Sequence, residues 1–330
     1  MAKGGKRYLM ILLLASAAVA AASVKQDADL EAGRRAYEAS DYAKAIQALE
    51  AAAAKDPQNG DVHLLLAKSF LELREHDAAI KSAEKAVSLD PQNSIYHEWL
   101  GRVYGEKADH ASWFSAISLA KKTRKEFETA VQLDGRNFSA RQALIEFDCS
   151  APGLVGGGEE KALPQIKQLA EMDAAEGHYA AGNCRRQKKD FATADQEFMK
   201  ALESDPKSAE LIFDIGDYAV KRNQPDRLLA VADAGEQVAP NDPRGHFYRA
   251  VALVLKKENP AEAERLLRTY AQKAPTRTGY PRPPAAHAWL GQLFENENKP
   301  EDAVKEYETA LKLDPKNKMA QEALKRFKKR

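Results

Sequence analysis

The feature of this sequence that most constrains its fold is a proline-containing dipeptide that returns at a regular interval. The step is 34 residues from Pro57 to Pro91 and again from Pro206 to Pro240. Because proline disfavours the helical conformation in the residue before it, each such pair predicts the end of a helix. The pairs are Asp56-Pro57, Asp90-Pro91, Asp205-Pro206, Ala239-Pro240, Ala274-Pro275 and Asp314-Pro315, while Asp134-Gly135 and Asp173-Ala174 fill the two gaps. A repeat of this period indicates small structural units that stack on their neighbours.

Residues 284–317 show the unit most clearly. A first helix is predicted by four residues that share one helix face at spacings of three and four, namely His287, Leu290, Gly291 and Phe294. Pro300 suits the first turn of a second helix, where a missing N–H is tolerated. The apolar stripe of that helix is Ala303, Val304, Tyr307, Ala310 and Leu311. Because a helix pair of this size cannot bury both faces alone, it needs neighbours.

The pattern divides most of the chain into eight segments. They are 26–59, 60–93, 94–137, 138–174, 175–208, 209–242, 243–275 and 284–317. Most carry a small residue at the eighth place, namely Gly33, Ala67, Gly101, Gly182, Gly216, Ala250 and Gly291. Residues 318–330 then predict a capping helix, whose apolar side covers the last segment. Its basic residues are interpreted as a solvated face, with a membrane or nucleic-acid patch as the alternative.

This recurrence of small and aromatic residues resembles the tetratricopeptide repeat (TPR) family, and in particular its exported bacterial members. The resemblance covers the solenoid region 23–317. It implies an all-α fold, a right-handed α-α superhelix of about eight helix-turn-helix units with a C-terminal capping helix. It also implies a protein or peptide partner rather than a catalysed reaction.

The resemblance further implies that the first helices line a concave surface, which residues at their second, fifth, ninth, twelfth and thirteenth places face. The predicted partner-binding residues are Arg102, Tyr179, Asn183, Arg186, Phe213, Asp217 and Phe247, and the same places hold Arg34, Tyr37, Lys68 and Leu71 in the first two segments. Arginine, aromatic and amide side chains are typical of binding surfaces. The alternative is that Tyr179, Phe213 and Phe247 only pack on one another.

Two consecutive segments depart from the pattern. The third is lengthened through residues 108–123, an amphipathic insertion that includes Trp113 and Phe114, and the fourth carries a glycine-rich stretch at 151–158 that includes Gly156. We expect both insertions to lie at the same edge and to be possible docking sites, because inserted loops often carry function. A proline-rich bridge at 276–284 precedes the last segment, and whether it occupies the concave surface is open.

The N-terminus predicts export. Lys3, Lys6 and Arg7 precede a short apolar run that ends in an alanine-rich tract at Ala22. This order is typical of a secretory signal peptide over residues 1–22, so the protein is expected to be periplasmic or secreted, with no membrane span after cleavage. The alternative is an uncleaved anchor, for which the apolar run is short against the roughly 20 residues of a membrane span.

No set of residues for catalysis emerges from the sequence. The seven histidines fall at packing places of the repeat and are predicted to lie far apart, and no metal or cofactor site is expected. The glycines at 153–158 lack the Lys-Ser/Thr pair of a phosphate-binding loop. A formal charge of +1 gives no overall attraction to nucleic acid. Cys149 and Cys184 are the only thiols, and they are either a disulfide or two buried apolar residues.

These observations favour a non-enzymatic scaffold or adaptor of the bacterial cell envelope that binds a protein or peptide on its concave face. The alternative is an accessory subunit of a polysaccharide or protein export or assembly machine, docked through residues 108–123 and 151–158. The partner and the oligomeric state are not specified by the sequence.

Overall fold

The structure is a computed structural model that describes residues 28–328. The predicted signal peptide at 1–22 and the last two basic residues lie outside the described residues. Between 28 and 328 the regular secondary structure is entirely helical. The chain forms two compact units, one that runs to Phe147 and includes Ala151–Gly157, and one that comprises Asp148–Ser150 and the chain from Gly158 onward.

The helices follow the predicted alternation of first and second helices. The first unit contains α1 (28–38), α2 (Tyr42–Lys55), α3 (Gly60–Glu72), α4 (His76–Leu89), α5 (Ser94–Ala108), α6 (Trp113–Leu133), α7 (Phe138–Ser150) and a 3₁₀ turn (Gly153–Val155). The last three residues of α7 belong to the second unit. The second unit continues with α8 (Glu159–Met172), α9 (Ala174–Gln187), α10 (Phe191–Glu203), α11 (Ala209–Lys221), α12 (Pro225–Val238), α13 (Pro243–Lys256), α14 (Pro260–Lys273), α15 (Pro283–Asn296), α16 (Pro300–Leu313) and α17 (Lys318–Phe327).

Within each unit, most helices that follow one another in the chain pack together, as α5 does with α6 and α15 with α16. First helices also contact the first helix of the next pair, as α3 does with α5, α11 with α13, and α13 with α15. Stacked helix pairs of this kind are the construction of the α-α superhelix class, so the predicted fold class is confirmed.

Short polar side chains start the first helices. Asn59 accepts hydrogen bonds from two backbone N–H groups of α3, and Asn93 does the same for α5. Asn137, Asp173, Ser208, Asp242 and Asn317 cap later helices in the same way. Since a capped helix has fewer unsatisfied N–H groups, each cap stabilises the start of its repeat.

The turn from first to second helix uses one left-handed residue at the fifteenth place of six segments. These residues are Ser40, Arg74, Lys189, Asn223, Lys257 and Asn298, with φ between 53° and 61°. The third and fourth segments depart from this turn, and both carry an insertion there. In the third, the added residues extend α6 to 21 residues instead of forming a separate arm.

Small residues at the eighth place let an aromatic ring approach the first helix. A Cβ added to Gly182 would lie 2.6 Å from the ring of Phe198, and one added to Gly291 would lie 2.6 Å from Tyr307. These contacts are shorter than packed carbon atoms allow, so a side chain at Gly182 or Gly291 would force the facing ring to shift. At the end of the chain, Ala320 and Ala323 of α17 are buried against the same core as Tyr307.

A disulfide joins α7 to α9 within the second unit. Cys149 and Cys184 have Cα atoms 5.4 Å apart and their sulfurs are bonded, so the two thiols are paired rather than free. The sequence left this question open because the two cysteines occupy different places in their repeats.

Candidate partner-binding surfaces

The first helices of the first unit carry a row of cations. Arg34, Lys68 and Arg102 stand at the ninth place of three successive segments, and we call them, together with Trp99, the basic row. The Lys68 ammonium lies 4.2 Å from the centre of the Trp99 ring, and the Arg102 guanidinium lies 5.7 Å from it. Both cations therefore make cation–π contacts with the same Trp99 ring, whose face attracts positive charge.

Lys68 differs from its two neighbours in its ion pairs. Arg34 lies 3.5 Å from Glu31, and Arg102 Nε donates to Glu98 at 2.9 Å. No ion pair to Lys68 is found within residues 28–328. Burial lowers the pKa of Lys68 most; Glu98 raises that pKa, the nearby Arg102 and Arg34 lower it further, and Asp61 raises it. An additional carboxylate would therefore stabilise the charged form of Lys68.

In the second unit, three of the predicted partner-binding residues lie on α9. The hydroxyl of Tyr179 donates to Asp214 Oδ2 at 3.0 Å, and Arg186 reaches the same oxygen at 3.3 Å. Asn183 lies between them in sequence and is only 5% exposed, and its Oδ1 has no hydrogen-bond partner within the described chain. A buried amide oxygen without a donor costs free energy, and because this atom has no exposed surface it is not open to a ligand.

Asp217 lies on the adjacent helix α11. The hydroxyl of Tyr248 lies 2.8 Å from Asp217 Oδ1 and 3.0 Å from the Phe213 carbonyl. Burial raises the pKa of Asp217, and the like charge of Asp214 adds to that effect, against the hydrogen bond from Tyr248. Burial also raises the pKa of Tyr248 well above its usual range.

The structure corrects the prediction for Phe213 and Phe247. Both rings belong to the core, with exposures of 1% and 2%, and both pack on Tyr248. Side chains this deeply buried do not contact a partner directly. Tyr179 packs on Phe198 instead, and it is only partly buried. The two phenylalanines are therefore core residues, and their shared ring contact is Tyr248 rather than one another or Tyr179.

The proline-rich bridge at 276–284 is held by Arg244 on α13. This guanidinium is 2% exposed, pairs with Asp242 at 2.7 Å and Glu210 at 2.9 Å, and donates to the Gly279 carbonyl at 3.2 Å. It also lies 4.2 Å from the centre of the Tyr280 ring. Burial opposes the charge, but the two carboxylates raise the pKa of Arg244 overall. The bridge thus covers the start of α13 in the second unit.

The two insertions meet in the first unit. Trp113 and Phe114 begin α6 with exposures of 69% and 84%, and Leu154 of the 3₁₀ turn is also exposed. A Cβ on Gly156, which has φ +98°, would lie 3.1 Å from Arg124 of α6. The glycine-rich stretch therefore packs against the extended helix and leaves its aromatic start uncovered.

The histidines are partly as predicted. His97, His178 and His287 each lie 2.6–2.7 Å from a glutamate of a second helix. The rings of His76 and His110 lie 5.3 Å apart, so the expectation that all seven are far apart is wrong. Within the described chain, no three acidic, histidine or cysteine side chains are grouped as metal ligands, and no helix is both long and apolar enough to span a bilayer.

The sixth place of the first helices holds three residues that the sequence pattern did not single out. Trp99 and Asp214 are partly exposed and contact predicted partner-binding residues, whereas Tyr248 is fully buried. The signal in the sequence was the aromatic or acidic character of this place, one position beyond the fifth place predicted to face a partner.

Comparisons with known proteins agree with the helix-pair architecture. Tetratricopeptide repeat family models match residues 30–116, 175–208 and 284–317. No curated protein matches the chain in sequence.

Three solved structures illustrate the structural likeness. A thermophilic TPR protein of Thermus thermophilus is 16% identical over 69% of this chain and 99% of its own, with a TM-score of 0.45. PilF of Pseudomonas aeruginosa is 15% identical over 80% of this chain and 95% of its own, also at 0.45. A tetratricopeptide repeat protein of Parabacteroides merdae is 16% identical over 91% of this chain and 97% of its own, at 0.43.

Proposed function

We propose, from the premise that this chain is a tetratricopeptide repeat protein, that it is a non-enzymatic scaffold whose first helices bind a protein or peptide partner. The observation that carries the proposal is a charged group left without a counter-ion on those helices. The Lys68 ammonium lies 4.2 Å from the centre of the Trp99 ring and has no ion pair in the described chain. Because an extended peptide brings side-chain charges of its own, it supplies the missing counter-ion.

We propose further that the protein works outside the cytoplasm, in the periplasm or secreted from the cell. The Cys149–Cys184 pairing supports this, because structural disulfides persist in oxidising compartments and are rare in the cytosol. The predicted signal peptide at 1–22 agrees with it. Cell fractionation with N-terminal sequencing tests the proposal. A mature chain that starts after Ala22 in the periplasmic or secreted fraction is expected, whereas intact Met1 in the cytosol would contradict export.

A cross-linking pull-down from envelope extracts tests the scaffold proposal. Tyr179→Ala and Arg186→Ala should reduce recovery of the partner, because both side chains lie on the α9 face and share Asp214. Gln237→Ala is the matched control, since Gln237 is exposed on a second helix of the same unit. Equal recovery with all three variants would place the partner elsewhere.

A second candidate function rests on the exposed aromatic pair at the start of α6. Trp113 and Phe114 suit an accessory subunit of a polysaccharide or protein export or assembly machine, docked through the insertions. Trp113→Ala with Phe114→Ala should then abolish capture of the partner while the α9 variants retain it. The reverse outcome would favour the first-helix faces.

A further inference from the structure

We infer that the basic row of the first unit seats an extended acidic segment whose carboxylates recur at about every third residue. The inference rests on the proposed scaffold function and names the chemistry of its partner. The basic row repeats one charge at one place of three successive segments, and Lys68 is the member without a carboxylate of its own.

The spacing of the row sets the spacing of the ligand. α3 and α5 are neighbours in the stack, and packed helices lie about 8–10 Å apart. An extended peptide advances by about 3.3 Å per residue, so three residues cover about one such step. A segment with acidic residues at i, i+3 and i+6 therefore presents one carboxylate to each of Arg34, Lys68 and Arg102.

Lys68 is expected to make the largest contribution. Its ammonium stands over Trp99 and faces two further cations, and the acidic groups that reach it are Glu98 and Asp61. Glu98 is already engaged by Arg102 and by the hydroxyl of Ser139 at 2.7 Å. A carboxylate of the bound segment thus supplies the counter-ion that Lys68 lacks. Trp99 offers an apolar surface to the side chains of the segment that lie between its acidic residues.

The same features argue for a peptide rather than a nucleic acid or another polyanion. Arg34 and Arg102 are each partly neutralised by a glutamate, so the row attracts a few spaced charges and not a continuous strand of them. The formal charge of the whole chain is only +1, which provides no broad positive field. In the second unit the corresponding ninth places hold Asn183 and Asp217, so the basic character is local.

Fluorescence anisotropy of the full mature chain with labelled ten-residue peptides tests the inference. One peptide carries Glu at positions 3, 6 and 9, a second carries the three Glu in a row, and a third carries Gln at positions 3, 6 and 9. We expect the spaced Glu peptide to bind at least tenfold more tightly than either of the others, with an affinity that falls as salt is added. Equal affinity for the Glu and Gln peptides, or equal affinity for a ten-nucleotide oligodeoxythymidine, would overturn the inference.

Variants of Lys68 separate a binding role from a structural one. Lys68→Gln should lower the affinity for the spaced Glu peptide at least tenfold. Lys68→Arg keeps the positive charge and should keep that affinity. Lys81→Gln makes the same charge change on the exposed side of α4 and should bind as the parent does. Because burial lowers the pKa of Lys68, the parent should lose the peptide at alkaline pH before Lys68→Arg does.

The outcomes also separate this inference from the proposed function. If Lys68→Gln and the parent recover the same partner in the pull-down while Tyr179→Ala does not, the basic row is wrong as the seat and the scaffold function stands. If neither the parent nor any variant recovers a partner, the scaffold function itself is wrong.

Discussion

Removal of the Cys149–Cys184 disulfide is predicted to destabilise the second unit by about 4 kcal/mol. The two residues are 35 apart in sequence, and the chain-entropy relation for a loop of that length gives a value of this size at 25 °C. Since α7, α8 and α9 lie within or beside the closed loop, we expect the effect to be concentrated there.

Urea unfolding of the parent, the reduced parent and Cys149→Ser with Cys184→Ser measures this effect. With a slope of about 2 kcal/mol per M, the midpoint of the second unit should fall by about 2 M. Hydrogen exchange resolves the location, because amides of α9 should lose protection while those of α2–α4, in the other unit, serve as an internal control. An unchanged midpoint in the double variant, or two free thiols in the folded protein, would refute the reasoning.

Three further predictions concern the second unit. Arg244→Met should lower the free energy of unfolding by about 3 kcal/mol, because it leaves Asp242 buried without its cation, and limited proteolysis should then cut the released bridge at 276–284. Asp217→Asn should stabilise the protein at neutral pH, because burial raises the pKa of Asp217 and so disfavours its charged form in the folded state. In the parent, the stabilisation from the neutral carboxyl is present below pH 3.8 and is lost as pH rises through the folded-state pKa. The thermal melting temperatures of parent and variant should therefore converge at low pH. Gly216→Ala should lower the free energy of unfolding by about 1–3 kcal/mol in urea melts, since the new Cβ would lie 2.7 Å from the Tyr248 ring, and an unchanged midpoint would contradict that contact.

The repeat period and the small residues carried most of the information about the fold. The small residues at the eighth place marked the repeats in the sequence, and at Gly182 and Gly291 an aromatic ring packs directly against the glycine. The left-handed turn residues were not predicted, because Ser40, Arg74 and Lys189 are not residue types that signal positive φ. The extension of α6 was also missed as a continuous helix, since its extra turns have the same composition as a separate amphipathic arm.

The candidate sites were less accessible from the sequence. A rule that assigns places of the repeat to the partner surface cannot tell an exposed ring from one that a neighbour covers. Phe213 and Phe247 illustrate this, because Tyr248 from the sixth place fills the space between their helices. Ion pairing is also set by neighbouring helices, which is why Lys68 and Arg102 have the same place in the repeat and a different balance of charge.

Site-specific photo-cross-linking tests the central claim most directly. A photoreactive amino acid at Lys68 and at Arg186 samples the first helices of the two units, and the same group at Lys81 and at Gln237 samples their second helices. The account predicts that the partner cross-links from the first-helix positions and not from the second-helix positions. Cross-links from Lys81 or Gln237 alone would contradict it.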